Sequence, residues 1–485
     1  MSERIMITVQ TGNAGEEIYL LHDVKKTVLE TLRESEIALP SLCSGMGTCG
    51  RCKVKFLGYA PFPTQTERGK IAPDKLREGY RLSCMAKPIK NCTIQALFAE
   101  EEKIKVLTES SIGRESSEPE RYYEGLETGS SVIAADIGTT TIAMRLLDVS
   151  TGEVSDTYTC LNPQRSYGMD VVERIRAGSD GYAVQLQRLV QEAILKGMEH
   201  FIQTAHAKPK LMVIACNTAM GHLFMGYPTD TLGKSPFRPV NIGLTEFSFN
   251  GVRTVLMPGI SAFVGGDIVA GLYACELYDS VKPWLFLDLG TNAEMVIGTG
   301  GRFLCTAAAA GPAFEGKGEG NTTGPERIGA IAHLLEAGLA DETGLLKEPY
   351  FEAGIDADGI FVTQKDIRDI QMAKAAVRAG IHFLLKKSGI SGYEPIERVY
   401  LAGGFGFYLD KEAAVRIGLI PSELQGKLEV VGNTSLTGAG LAGRKILIDM
   451  TTEKRNLEDI IKNCEVFNLA VQQDFDKKYI EYLNF

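Results

Sequence analysis

Four cysteines near the start of the chain follow a spacing that few folded sites other than an iron–sulfur cluster require. Three of them form a C-x5-C-x2-C pattern inside a loop rich in glycine and serine, and the fourth stands in a separate segment. Glycines let backbone N–H groups turn toward cluster sulfurs, and 2Fe–2S clusters are held by four thiolates. The pattern therefore predicts a 2Fe–2S cluster ligated by Cys43, Cys49, Cys52 and Cys84.

The same cysteines have a second interpretation as a zinc site. Zinc ligands normally come as two close cysteine pairs, whereas here only Cys49 and Cys52 stand close together, so the cluster is favoured. The other cysteines form no CxxC pair and are interpreted as buried reduced thiols, which agrees with a reducing compartment. They are Cys92, Cys160, Cys216, Cys275, Cys305 and Cys464.

Length and composition limit the kinds of protein this chain can be. A chain of 485 residues is too long for one ordinary core, so two or three domains are expected. The net charge of −10 argues against a nucleic-acid partner and against an anionic membrane surface. No apolar run reaches the length of a membrane span, and the first residues lack the pattern of a secretory signal. We therefore expect a cytoplasmic protein.

The pattern of residues changes twice along the chain. Residues 1–98 predict a small α+β module whose helix is capped by Asp23, and this module resembles the plant- and adrenodoxin-type ferredoxins, which have a β-grasp fold. Residues 99–130 are polar and charged and predict a flexible linker, with a surface arm packed on the next domain as the alternative. Residues 131–485 alternate buried strands with helices and predict an α/β domain.

Two near-repeats in the α/β part indicate a nucleotide site. Asp136-Ile-Gly-Thr-Thr-Thr and Asp288-Leu-Gly-Thr-Asn each follow a buried strand. Glycine lets backbone N–H groups approach phosphate, and threonine or asparagine adds side-chain donors. A carboxylate at such a turn can hold Mg²⁺ or orient an attacking water, so both aspartates are predicted to act on Mg–ATP. The predicted phosphate-binding residues are Gly138, Thr139, Thr140, Thr141, Gly290, Thr291 and Asn292.

Other segments carry weaker predictions, each with a purely structural turn as the alternative. The run Leu401-Ala-Gly-Gly-Phe-Gly predicts a turn that passes close to adenosine and uses Gly403, Gly404 and Phe405. Glu315 lies in the run 307–316, which begins a glycine-rich stretch up to Gly324, and is predicted to face the nucleotide or its Mg²⁺. Further candidates for the same cleft are Asn217, Thr218 and Asp267.

Together these turns resemble the actin, sugar-kinase and heat-shock chaperone superfamily of ATPases. The resemblance implies two duplicated, ribonuclease H-like lobes at about 131–280 and 281–445, followed by a C-terminal tail, with the nucleotide in the cleft between the lobes. It also implies that the small-residue helix around 437–443 packs between them. The chain has no Walker A sequence and no G-x-G-x-x-G after a first strand, which disfavours P-loop and Rossmann folds.

The combination of a 2Fe–2S module with an actin-like ATPase resembles the reductive activators of corrinoid proteins. The resemblance implies that cobalt in the inactive Co(II) state is returned to Co(I) at the expense of ATP. The electron would pass from an external ferredoxin or reductase through the cluster to a corrinoid protein partner, and a homodimer is possible. Better-known members have a middle region between linker and ATPase, and this chain is expected to be too short for much of one.

Two other functions remain open from the sequence. One is a redox-regulated small-molecule kinase that uses the cluster as a sensor. The other is a non-catalytic electron-carrier scaffold whose ATPase site is dead, although the intact Asp136 and Asp288 argue against it.

Overall fold

The structure, a computed structural model, describes residues 3–11, 16–35, 37, 39, 43, 45–96, 107–112, 129–311, 313–314 and 322–485. No helix within these ranges has the length and apolar character needed to cross a membrane. The described residues form a cluster domain (residues 3–96), a first lobe (131–280) and a second lobe (281–485).

The cluster domain is a five-stranded sheet with one main helix packed on it. Alternation along the first strand buries Ile5, Ile7 and Val9, as expected for a strand with one face on a core. The sheet order is β2-β1-β5-β3-β4, and the β1–β5 pair is parallel. This is the predicted β-grasp arrangement. The elements are β1 Arg4–Thr11, β2 Glu16–Asp23, α1 Val28–Glu34, β3 Lys53–Leu57, α2 Gln65–Arg68, α3 Pro73–Arg77, β4 Tyr80–Leu82 and β5 Cys92–Ala96.

The predicted helix cap in this domain was wrong. Asp23 ends strand β2, and helix α1 starts later, after Thr27. The Thr27 side chain accepts a hydrogen bond from the Glu30 N–H while the Glu30 carboxylate accepts from the Thr27 N–H, which forms a capping box.

The first lobe has a six-stranded sheet in the order β10-β11-β9-β6-β7-β8. Its central strands are apolar on both faces because helices cover the sheet, as is typical of α/β domains. The elements are β6 Ser131–Ile137, β7 Thr141–Asp148, β8 Val154–Leu161, α4 Val171–Ala177, α5 Ala183–Ala205, β9 Pro209–Cys216, α6 Thr218–Met225, β10 Thr245–Phe249, β11 Val252–Leu256 and α7 Gly266–Ala274.

The second lobe has its own six-stranded sheet, in the order β18-β17-β12-β13-β14-β19, and a two-stranded ribbon. The elements are β12 Trp284–Leu289, β13 Asn292–Thr299, β14 Arg302–Ala309, α8 Gly324–Glu336, α9 Tyr350–Ala353, β15 Ile355–Ala357, β16 Ile360–Val362, α10 Gln364–Ser388, β17 Arg398–Ala402, α11 Gly403–Tyr408, α12 Lys411–Arg416, β18 Leu428–Gly432, α13 Thr434–Lys462, β19 Cys464–Val466 and α14 Phe475–Glu481.

The two lobes repeat one topology, as predicted. Strands β6, β7 and β8 form an antiparallel meander, and β9 pairs in parallel with β6. In the second lobe β12, β13 and β14 form the same meander, and β17 pairs in parallel with β12. Asp136 and Asp288 each occupy the last position but one of the leading strand, so the two carboxylates stand at equivalent points of the duplicated fold.

Helix α13 packs between the two sheets. Its glycines allow this approach, since a Cβ on Gly438 would lie 2.0 Å from the Ala270 carbonyl oxygen of α7, and one on Gly443 would lie 2.6 Å from Val132 of β6. The structure therefore places the small-residue helix between the lobes, where the resemblance to the ATPase superfamily puts it.

Part of the predicted linker belongs to the folded body. Residues 107–112 lie against the second lobe: Ser110 bridges Gly432, and the Asn433 N–H donates to the Glu109 carbonyl over 2.9 Å. Leu107 is buried. For this stretch the packed-arm alternative is right, and the rest of 99–130 lies outside the described residues apart from Gly129 and Ser130.

For 446–485 the sequence predicts a polar helix and then a strand-like tail, and the helix is the last part of α13, which reaches Lys462. The described tail contains one short strand, β19, which adds to the edge of the second sheet beside β14. It then ends in helix α14.

Candidate cluster and nucleotide sites

Strand pairing brings the third and fourth predicted cluster ligands together. Lys53 pairs with Leu82 across β3 and β4, and the Ser83 N–H donates to the Cys52 carbonyl over 2.7 Å. The sulfur atoms of Cys52 and Cys84 consequently lie 3.3 Å apart, and both residues are buried.

The loop that carries the other two ligands depends on glycine. Gly45, Gly47 and Gly50 have φ values of +95°, +77° and +68°, a region that costs other residues free energy. These turns wrap the chain so that the Cys43 and Cys49 side chains come within hydrogen-bond contact of each other. The four predicted ligands therefore lie as two pairs in one small region.

The donor set, four thiols arranged as two pairs, fits a two-iron cluster. Two cysteine pairs are what a 2Fe–2S cluster needs, with two thiolates on each iron. The hydrogen bond between the Cys52 and Cys84 thiols lowers the pKa of Cys52 and raises the pKa of Cys84.

Cys92 is not part of this set. It lies in β5, inside the apolar core of the cluster domain, and burial raises its pKa to about 11. This agrees with the interpretation of Cys92 as a packing residue.

The first glycine turn presents one side to a supporting segment. The carbonyl oxygens of Gly138 and Thr140 accept from the side chain and N–H of Asn162 over 2.8 and 2.9 Å, and Arg174 donates to the Thr139 carbonyl. In a planar trans peptide the N–H lies opposite the carbonyl. The N–H groups of Thr139, Thr140 and Thr141 therefore face away from that segment, as a phosphate cradle requires.

Asp136 lies at the contact between the two lobes. Its Oδ2 accepts from the Asn433 amide over 2.9 Å and its Oδ1 accepts from the Ser435 hydroxyl over 3.0 Å. Burial raises the pKa of Asp136, and the two hydrogen bonds oppose that change. A nearby cation stabilises the charged form of such a buried carboxylate, so Asp136 is a suitable ligand for Mg²⁺.

Asp288 stands at the matching point of the second lobe. The turn after it is tight, with the Gly290 N–H donating to the Asn292 carbonyl over 2.8 Å. A Cβ placed on Gly403 would lie 2.6 Å from Asp288 Oδ1, and Gly403 has a φ of +80°. The close approach and the backbone conformation both require glycine at this position.

The two carboxylates are joined by the ends of neighbouring strands. Ala402 pairs with Asp288 on one side and with Gly432 on the other, and Gly432 precedes Asn433, the partner of Asp136. The strand ends that carry Asp136 and Asp288 are therefore connected, through 402–403 and 432–433, at the contact between the lobes.

A third carboxylate lies near the first turn. Asp267, at the start of α7, is buried enough that its pKa rises to about 7, with a further contribution from the negative charge of Asp136. Asn217 donates to the Thr139 hydroxyl over 3.1 Å, so it touches the predicted phosphate turn. Thr218 instead donates to the Ser261 carbonyl and is buried, which supports a structural role.

The third glycine-rich segment differs from its prediction. Gly403 and Gly404 do not form a turn but begin helix α11 directly at the end of β17. The Phe405 ring is buried in the second-lobe core and stacks on Phe314, with centroids 4.4 Å apart, so the predicted contact with the nucleotide concerns the backbone of Phe405. Glu315 lies outside the described residues.

Sequence reasoning missed four residues of this site: Asn162, Arg174, Asn433 and Ser435. Asn433 carried a usable signal, because an asparagine directly before a helix is a typical cap, and its Oδ1 does accept from the Leu436 N–H. Arg174 carried none, since nothing in a helix pattern marks an arginine that is fully buried.

Comparison with known families assigns almost every folded part of the chain. Residues 14–88 match the 2Fe–2S iron–sulfur cluster binding domain. Residues 131–280 match the RACo middle region, and residues 282–334 and 323–485 match the C-terminal domain of RACo, the ASKHA domain. The expectation that the chain lacks most of a middle region was wrong, because that region is the first lobe.

Two of the chain's curated relatives match it over about half of its length or more. The corrinoid activation enzyme RamQ of Eubacterium limosum is 30% identical over 64% of this chain and 63% of its own length. The [Co(II) methylated amine-specific corrinoid protein] reductase of Methanosarcina barkeri is 27% identical over 48% of this chain and 51% of its own length. The chain thus spans between half and two thirds of these relatives.

A solved structure supports the fold over the whole chain. The reductive activator for corrinoid, iron–sulfur protein superposes with a TM-score of 0.65 at 22% sequence identity, covering 99% of this chain and 98% of that one. The chain thus consists of a 2Fe–2S iron–sulfur cluster binding domain, followed by the RACo middle region and by the C-terminal domain of RACo, the ASKHA domain.

Proposed function

We propose that the chain is an ATP-dependent reductive activator of a corrinoid protein. It delivers one electron to cobalt in the Co(II) state and regenerates Co(I). The observation that carries the proposal is the presence, in one chain, of a four-cysteine cluster site and of two carboxylates, Asp136 and Asp288, at equivalent strand ends of duplicated lobes. The names of the two curated relatives support the substrate class.

The electron-transfer part of the proposal rests on the cysteine pairs. Cys43, Cys49, Cys52 and Cys84 would hold a 2Fe–2S cluster, which supplies single-electron transfer when bound. Half-buried Cys49 lies nearer the surface than the buried Cys52 and Cys84, so electrons would enter or leave on the Cys49 side. The donor would be an external ferredoxin or reductase.

The ATP part rests on the cleft between the lobes. The N–H groups of Thr139, Thr140 and Thr141 would hold phosphate oxygens from the first lobe, and the turn at Gly290 would do so from the second. Asp136 and Asp288 would hold Mg²⁺ or orient the attacking water. Because Asp136 already contacts Asn433 across the cleft, a ligand at this point would change how the lobes close.

Coupling to ATP has an energetic reason. Plant-type 2Fe–2S centres have potentials near about −400 mV. A cobalt couple below that value makes the transfer unfavourable by tenfold for each ~59 mV. Lobe closure driven by ATP would change the affinity for the Co(II) form of the partner, and this differential affinity would offset the unfavourable step.

ATP turnover and cobalt reduction, measured together, test the proposal. The anaerobic cluster-loaded protein is given an electron donor and a Co(II) corrinoid protein, with and without ATP. We expect ATP hydrolysis to rise when the corrinoid protein is added, and Co(I) absorbance to appear only with ATP. Unchanged turnover together with phosphorylation of a small metabolite would contradict the proposal and indicate a kinase.

A further inference from the structure

The first lobe holds the cluster domain through one arginine of that domain. Arg33, at the end of α1, reaches the first lobe and is only 6% exposed. Its guanidinium donates to the Ser166 carbonyl over 3.1 Å, and the Tyr167 hydroxyl donates back to the Arg33 carbonyl over 3.3 Å. Since these bonds join parts of the chain far apart in sequence, they fix the position of one domain on another.

Two aromatic rings complete the receiving pocket. The Arg33 guanidinium lies 5.1 Å from the centroid of Tyr167 and 5.9 Å from that of Tyr182. A desolvated arginine over aromatic faces gains more than an exposed one, and its planar group suits this stacking better than lysine would. A second contact, from Arg176 to the Met46 sulfur at 3.5 Å, places the loop between Cys43 and Cys49 against the same lobe.

The pocket is continuous with the first phosphate turn. Arg174 donates to the Gly168 carbonyl over 2.9 Å and also to the Thr139 carbonyl. Asn162 binds the carbonyls of Gly138 and Thr140. Both ends of segment 162–174 therefore contact the turn, at three successive carbonyls, and the middle of the segment, at Ser166 and Tyr167, contacts Arg33.

We propose that segment 162–174 couples the nucleotide cleft to docking of the cluster domain at Arg33. The inference rests on the proposed function insofar as the turn binds phosphate. A phosphate that accepts from the N–H side of the turn polarises the same peptides, which strengthens the bonds from Asn162 and Arg174 on the carbonyl side. Nucleotide binding therefore tightens the pocket and favours the docked cluster domain.

The consequence is control of access to the cluster. In the docked state Arg176 of the first lobe contacts Met46, so a partner that approaches this edge of the cluster loop meets the first lobe as well. Loss of nucleotide loosens the segment and frees the domain. Thermodynamic linkage requires the reverse effect as well, so docking must strengthen nucleotide binding by the same factor.

Hydrogen exchange and nucleotide affinity, measured on the same proteins, test the docking of the cluster domain and its coupling to the nucleotide. The cluster-loaded full chain is compared with Arg33→Ala in the cluster domain and with Tyr182→Leu in the first lobe. The control is Arg77→Ala, which changes an exposed arginine of the cluster domain. We expect amide exchange in 162–170 to rise roughly tenfold in the first two variants, given the size of a desolvated cation–π contact. The non-hydrolysable analogue AMP-PNP should bind them at least about fivefold more weakly.

The outcomes separate this inference from the proposed function. Exchange in Arg33→Ala equal to that in Arg77→Ala overturns docking. Faster exchange with an unchanged AMP-PNP affinity overturns the coupling and leaves docking supported. If the parent protein binds no AMP-PNP, the nucleotide part of the proposed function fails with the coupling, while docking is still judged by exchange. If the parent protein shows ATP-dependent reduction and Arg33→Ala changes neither amide exchange nor AMP-PNP affinity, the inference is overturned and the proposed function stands.

Discussion

Asn433 donates its side-chain amide to Asp136 across 2.9 Å, and this bond joins the first residues of α13 to the phosphate turn of the first lobe. The same amide also donates to the Leu107 carbonyl, in the segment that leads from the cluster domain. The Asn433 side chain therefore contacts Asp136, the start of α13 and the connecting segment. A change at Asp136 consequently alters the support of α13 and of that segment.

We expect Asp136→Asn to lower ATP turnover by about 100-fold or more and to leave the cluster absorbance unchanged. A carboxylate that holds or orients a metal ion contributes several kcal/mol to the reaction it serves. Asp279→Asn, an exposed aspartate of the same lobe, is the control and should hydrolyse ATP normally. Normal turnover in the Asp136 variant would remove this residue from the site.

Gly403→Ala should weaken nucleotide binding about tenfold or more. The new methyl group would lie 2.6 Å from Asp288 Oδ1, and a φ of +80° adds about 1–2 kcal/mol of strain. Gly392→Ala separates the two causes, since Gly392 has a φ of +74° and open space around it. Titration calorimetry with AMP-PNP should show weaker binding only in the Gly403 variant; equal affinities would mean that Asp288 takes no part.

The sequence predicted most of the fold because its two clearest patterns, the Asp-Gly-Thr repeats and the cysteine spacing, can be recognised within short segments. The two Asp-Gly-Thr repeats follow buried strands, and the structure places Asp136 and Asp288 at equivalent positions of duplicated sheets. The cysteine spacing likewise predicted a set that the fold assembles, since Cys52 and Cys84 meet through strand pairing.

The parts that failed depend on contacts between distant segments. The glycine run at 403–406 predicted a turn, but Gly403 and Gly404 begin helix α11, which the Phe405 ring anchors by stacking on Phe314 in the core. Residues 107–112 are polar enough to suggest a free linker, yet their backbone pairs with the edge of β18. Arg174 and Asn162 gain their roles only from the position of the turn they support.

Cys49→Ala should abolish the cluster while leaving AMP-PNP binding intact. Cys49 is half-exposed, so losing its thiol costs the fold little, whereas a cluster with three thiolates is poorly held. Cys92→Ala is the matched control, because Cys92 lies in the same domain but packs in its core. Iron content and visible absorbance should fall only in the Cys49 variant. Iron loss in the Cys92 variant at an intact fold would instead make Cys92 a ligand.

Lys374 should make the stability of the second lobe depend on pH. Burial lowers the pKa of this lysine from 10.5 to about 7, and its amine donates to the Asn484 carbonyl of the C-terminal segment. Between these two pKa values the unfolded chain binds more protons than the folded one, so stability rises with pH from about 7 toward 10.

We therefore expect Lys374→Met to be more stable than the parent protein near pH 7, with the difference shrinking by up to ~1.4 kcal/mol for each pH unit above that. Lys386→Met, at an exposed position of the same helix, should show no such trend. Calorimetric melting of the full chain between pH 7 and 9.5 measures both. A difference between the Lys374 variant and the parent that stays constant over this range would mean that the buried amine keeps its proton, with the C-terminal segment stabilising the charged form.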